Sequence, residues 1–80
     1  MISCQTHDYI EIACLYGFQV LLQLRDGTTQ QGKAITTETT SDKREWLILQ
    51  QQSGDIRVDL MHIKNMQSLT PNSHFEQISF

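Results

Sequence analysis

The spacing of apolar residues changes period once along this chain. Tyr9, Ile12, Ala13 and Tyr16 recur at i, i+3, i+4 and i+7, the signature of one helical stripe. Asp8 followed by Glu11 fits an N-cap and its capping-box partner, and Gly17 is a natural residue just beyond a helix end. The pattern predicts a helix over about residues 6–16, with Asp8 and Glu11 one turn apart and pointing away from the stripe. From Phe18 the period becomes two: Phe18, Val20, Leu22 and Leu24 alternate with Gln19, Leu21, Gln23 and Arg25.

Asp26-Gly27 then supplies a tight hairpin turn, because both residue types tolerate positive φ. A Thr-rich second strand follows, and Gly32 within it marks a bulge or sharp bend. Thr36–Arg44 reads as a loop with almost no apolar content. Glu45–Gln52 is a third strand, with Trp46 expected to anchor the core. Ser53-Gly54-Asp55 is a turn, and IRVDLMHI alternates as a fourth strand. Asn65–Leu69 is a short fifth strand, and residues 70–80 form an edge strand or a tail. One helix followed by short hairpin-linked strands within residues 18–69 predicts a mainly β domain spanning residues 1–80. The expected architecture is a small barrel of five to six antiparallel strands, SH3-like in size, with one N-terminal α-helix.

Length bounds the function. A chain of 80 residues has a thin core and little room for a deep substrate cleft. There is no G-x-S-x-G, no P-loop and no G-x-G-x-x-G, and His7, His62 and His74 stand far apart with no nucleophile beside them. A binding protein is expected, not an enzyme, and no cofactor is expected. No apolar stretch is long enough to cross a bilayer and no basic leader precedes the helix, so a soluble, cytoplasmic protein with no membrane partner is expected.

Charge narrows the partner. Nine acidic residues face six basic ones, a net charge of −3. Nucleic-acid binders cluster Lys and Arg against phosphates, so direct nucleic-acid binding is not expected, and a basic protein surface suits the balance better. Taken alone, Asp8 and Glu11 are ordinary helix-start carboxylates. They nevertheless dominate the first sixteen residues, where no Lys or Arg offsets them, and carboxylates so placed make a docking surface for Arg and Lys. Lys43 and Arg44, flanked by Asp42 and Glu45, read by themselves as a solvated mixed-charge loop. Cys4, His7, Asp8 and Cys14 are the one constellation with zinc-ligand chemistry, although Cys14 has no paired ligand nearby. Two buried thiols are the plainer reading, and the spacing leaves a disulfide between them open.

Two resemblances sharpen these expectations. Leu24-Arg25-Asp26-Gly27 followed by Gly32, with the later IRVDLMHIKNMQSL, is similar to the strands of an Sm-like barrel. Nearly the whole chain resembles the Rof (YaeO) family of Rho-binding antiterminators. The resemblance lies in Ile2-Ser3-Cys4, Asp8-Tyr9-Ile10-Glu11-Ile12-Ala13-Cys14, Leu22–Gly27 with Lys33-Ala34, Glu45-Trp46-Leu47, and Arg57-Val58-Asp59-Leu60 with Ile63. It implies a protein inhibitor of the termination factor Rho, a hexameric RNA-dependent helicase. Such inhibitors dock on Rho's basic, RNA-binding N-terminal region and block RNA engagement, so termination falls.

The resemblance further implies that Asp8 and Glu11 meet basic residues of Rho, and that a loop matching about Ser41–Arg44 contributes through Lys43 and Arg44. That loop departs from the family's pattern in length and sequence. His7 stands where the family can carry a tyrosine. A monomer is expected, with two alternatives: an Sm-like RNA-binding oligomer, or a zinc or thiol protein built on Cys4, His7 and Cys14.

Overall fold

The computed structural model describes residues 2–80. Ser3 opens the chain's only α-helix among these residues, α1 (Cys4–Tyr16), by accepting a hydrogen bond from the Thr6 amide at 3.1 Å. Asp8 is therefore mid-helix, not the cap. The predicted start was late because Asp8 and Ser3 are both cap-forming residues, and Ser3-x-x-Thr6 lacks the Glu or Gln of a capping box. The end falls where expected. Gly17 sits at φ 64°, and the amides of Gly17 and Phe18 bond back to the carbonyls of Cys14 and Ala13, a Schellman closure.

The buried stripe of α1 is Thr6, Ile10 and Ala13; Tyr9 and Ile12 flank it and Tyr16 is exposed. This differs from the predicted Tyr9–Ile12–Ala13–Tyr16 stripe. Apolar side chains occupy 9, 10 and 12–16, wrapping most of the helix, so more than one stripe fits the spacing.

Six antiparallel strands form one sheet in the order β4-β3-β2-β1-β5-β6. They are β1 (Gln19–Leu24), β2 (Thr29–Thr39), β3 (Glu45–Gln51), β4 (Gly54–Asp59), β5 (Ile63–Ser68) and β6 (Gln77–Ser79). Their inward side chains share one core with α1: Val20, Leu22, Ala34, Leu47, Leu49, Val58, Ile63 and Met66, joined by Ile10, Ala13, Phe18, Leu60 and Phe75. One sheet can enclose such a core only by curling. The curl is visible at Gly32, where a Cβ would stand 2.8 Å from the Gln50 carbonyl oxygen of β3 and 3.2 Å from the Leu49 Cβ. The bend expected at Gly32 is thus a close backbone approach, whereas the bulge lies three residues on, with Ile35 unpaired between Ala34 and Thr36. No ladder joins β4 to β6 among the described residues, so the barrel is partly open.

Several boundaries differ from the pattern reading. β2 runs to Thr39, so the loop shrinks to about 40–44; threonines read as loop are strand-compatible β-branched residues. IRVDLMHI is broken. Asp59 accepts from the Met61 amide at 2.9 Å and starts a 3-10 turn, Leu60–His62, before β5. The first hairpin is a three-residue loop in which Gly27 alone has positive φ (89°), so Asp26 stays in ordinary backbone space. Trp46 is outside the core. Its indole N–H donates to Thr40 Oγ1 at 3.2 Å and its ring lies 5.0 Å from the Arg57 guanidinium, while Leu47 and Leu49 point inward.

Residues 70–80 are docked, with β6 on β5 and Phe75 buried against Tyr9 and Phe18 at ring-centroid distances of 5.4 and 6.0 Å.

Candidate functional site

α1 lies over β2 and presents its solvent side as two adjoining surfaces. Asp8, Glu11, Ile12 and Leu15 fall at i, i+3, i+4 and i+7 and line one concavity. Glu11 and Leu15, with Cys14, also border a depression whose far wall is Ile35, Thr36 and Thr37 of β2. Asp8 and Glu11 are both exposed. They sit in the second and third turns of α1, because no acidic residue occupies its first turn. The dipole at the helix start is therefore not what holds them, since that effect fades within the first turn. No Lys or Arg lies on α1, and neither carboxylate has an ion-pair partner among the described residues.

His7 faces a different neighbour. Its Nε2 is buried and stands 3.5 Å from the Glu45 carboxylate at the start of β3, too long for a good hydrogen bond. Glu45 follows Arg44 in the chain, so His7 connects the helix to the base of the β2–β3 loop. The approach to Glu45 is what links α1 to this loop, and among the described residues no ion pair joins Lys43 or Arg44 to Asp8 or Glu11.

Within the loop, the Thr40 amide donates to the Arg44 carbonyl and the Lys43 amide to the Thr40 carbonyl, both at 2.9 Å. Lys43 is thereby held at φ 66°, in the left-handed region that glycine fills in the first hairpin. The Asp42 carboxylate accepts from the Thr40 hydroxyl and the Arg44 amide, and these bonds hold its pKa below the usual carboxylate value.

Arg44 is engaged by the fold from the surface. Its guanidinium donates to the Asp59 carboxylate at 3.3 Å and stands 3.5 Å from the Asp42 carboxylate. Asp59 is 6% exposed, so Arg44 neutralises a buried charge and ties the β2–β3 loop to the 3-10 turn. Lys43 carries no such duty. Sequence spacing gave no hint of this division, because Asp59 lies fifteen positions from Arg44.

The thiols do not form a site together. Cys4 and Cys14 are ten residues apart on one straight helix, about 15 Å along its axis at ~1.5 Å per residue. A disulfide needs Cα atoms within about 7 Å, so neither a bridge nor a shared zinc ion fits. No cluster of three potential metal ligands occurs among the described residues. Burial, reinforced by the nearby Glu11 carboxylate, pushes the Cys14 thiol up to about 11. It behaves as a half-buried apolar group.

Pattern reading missed Leu15 and Ile35. Leu15 is 77% exposed, the most exposed large apolar side chain described, and Ile35 is 37% exposed. Only the bulge, invisible in the residue spacing, leaves Ile35 unpaired beside the helix.

No helix among the described residues is long and apolar enough to cross a membrane. No curated protein matches the chain. A solved structure of YaeO from Vibrio cholerae O395, bound to magnesium, is similar: 32% identity, 91% of this chain and 95% of that one covered, TM-score 0.84. The model of the family described as "Modulator of Rho-dependent transcription termination (ROF)" matches residues 1–80. That match spans the acidic helix, the curled sheet and the docked C-terminal segment, and the chain belongs to the ROF family of modulators of Rho-dependent transcription termination.

Proposed function

We propose that this protein inhibits Rho by occupying the RNA-binding surface of its N-terminal region, and so acts as an antiterminator. The observation that carries this reading is the exposed, unpaired carboxylate pair Asp8 and Glu11 on a helix with no basic residue. RNA-binding surfaces are basic, and an acidic protein face competes for the same Arg and Lys side chains that RNA phosphates would meet. The net charge of −3 steers the encounter and disfavours binding RNA directly. In this reading the protein works by occlusion in the cytoplasm and catalyses nothing.

Lys43, displayed at the tip of the β2–β3 loop, supplies a secondary contact, and His7 sets the edge of the surface. Arg44 acts mainly by holding the loop. The protein acts as a monomer: β6 already covers the outer edge of β5, and β6 is a three-residue strand, a poor template for edge-to-edge ring assembly.

Competition between the protein and a pyrimidine-rich oligonucleotide on Rho tests the reading. The wild-type chain displaces the oligonucleotide, salt weakens the effect, and Glu11→Lys abolishes it with the fold intact. Normal displacement by Glu11→Lys would overturn it.

A further inference from the structure

The acidic pair does not stand alone on its face. Four observations place an apolar patch against it. Leu15 is 77% exposed and Ile35 37% exposed. Ile12 and Leu15 line the same concavity as Asp8 and Glu11. Leu15, Cys14 and Ile35 line the next depression, again with Glu11 on its rim. Finally, Cys14, which lines the same depression, adds no charge to it, because burial keeps its thiol protonated with a pKa pushed up to about 11.

Single exposed leucines are ordinary on protein surfaces. A leucine and an isoleucine from two different elements, lining one depression with an uncharged thiol and a carboxylate, have the make-up of an interface centre: apolar middle, charged edge. The sheet defect at Ile35 belongs to the same arrangement, because the bulge is what leaves that side chain unpaired beside α1.

We propose that Leu15 and Ile35 are the apolar anchor of the Rho-docking face, gripping an apolar side chain that projects from Rho's basic surface beside the contacts made by Asp8 and Glu11. The inference rests on the reading that this face binds Rho. It adds a division of labour. The carboxylates choose a basic partner and speed its encounter, and the apolar pair slows its departure. Charge complementarity fixes the occupant. A second copy of this chain would bring Asp8 and Glu11 of both copies to one acidic seam, where like charges repel.

Direct binding of the full chain to purified Rho, measured by titration calorimetry at low and high ionic strength, tests this. Leu15→Gln and Ile35→Thr preserve helix and strand propensity at exposed positions, and circular dichroism checks that each variant folds. Each variant is expected to raise Kd about tenfold, as truncation of a desolvated apolar anchor does, and by the same factor at both salt concentrations. Glu11→Lys weakens binding most at low salt.

Leu15→Gln and Ile35→Thr binding Rho as tightly as wild type, while Glu11→Lys fails, would overturn the anchor and leave the acidic docking face standing. Glu11→Lys binding normally while the apolar variants fail would support the anchor and remove the charge-led part of the parent reading. Absence of wild-type binding would overturn both.

Discussion

Asp59 gives the most informative single perturbation, because it decides what Arg44 is for. The carboxylate is 6% exposed and has two protein donors, the Arg44 guanidinium at 3.3 Å and the Met61 amide at 2.9 Å. Two unit charges at that separation attract by about 5 kcal/mol at an effective dielectric of about 20. Desolvation of Asp59, and water's access to an arginine side chain that is 57% exposed, offset most of this. A coupling of about 1–2 kcal/mol remains.

Asp59→Asn keeps an acceptor for the Met61 amide but sets an NH2 donor where an oxygen faced Arg44, so it removes the charge and the Arg44 hydrogen bond together, and the cycle reads their sum. Asp59→Ala leaves both donors without their acceptor and is expected to cost about 3 kcal/mol. For a domain of this size, each kcal/mol lowers the melting temperature by about 4–8 °C. The assay is a double-mutant cycle on Arg44→Ala and Asp59→Asn, read by urea denaturation. Additive effects, within about 0.5 kcal/mol, would refute the reasoning. Arg44 would then be a free surface cation and a full member of the docking face.

Four further outcomes are expected. Gly32→Ala pushes a Cβ to 2.8 Å from the Gln50 carbonyl oxygen and should cost about 1–3 kcal/mol of unfolding free energy, whereas unchanged stability would mean the sheet is not curled there. Lys43→Gly relieves the left-handed backbone at φ 66° and should raise stability by up to about 1 kcal/mol in thermal melts. If Lys43 touches Rho, the same variant weakens binding. Phe75→Ala removes the ring packed on Tyr9 and Phe18, costs about 3 kcal/mol, and exposes the C-terminal strand to limited proteolysis.

The Cys14 thiol has a raised folded pKa, so its contribution to stability is complete below pH 9.0 and is lost as pH climbs toward about 11. Cys14→Ala should flatten that part of a stability–pH profile.

The strand framework was legible because β1 alternates cleanly and its inward residues Val20 and Leu22 are wholly buried. Gly17 and Gly32 were legible for the same reason in a different form: each marks a backbone constraint that a side chain would violate. The helix stripe was not legible. Apolar residues wrap α1 on several sides, and the surplus that confused the period is the surface patch at Leu15. Trp46 misled because size suggests a core residue, yet its indole N–H needs a polar partner and finds one in Thr40 near the surface.

The candidate site was legible in part. Asp8 and Glu11 stood out by charge alone. The assignment of Arg44 to the fold, the approach of His7 to Glu45 and the placement of Ile35 beside Leu15 all depend on contacts between elements far apart in the chain. No spacing within one element reports such contacts.

The measurement closest to the central claim is fluorescence anisotropy of a labelled pyrimidine-rich oligonucleotide bound to Rho, titrated with this protein. The account predicts a fall to the free-oligonucleotide value, weakened by added salt and absent for Glu11→Lys. Anisotropy that stays flat at saturating protein would contradict competition for the RNA site.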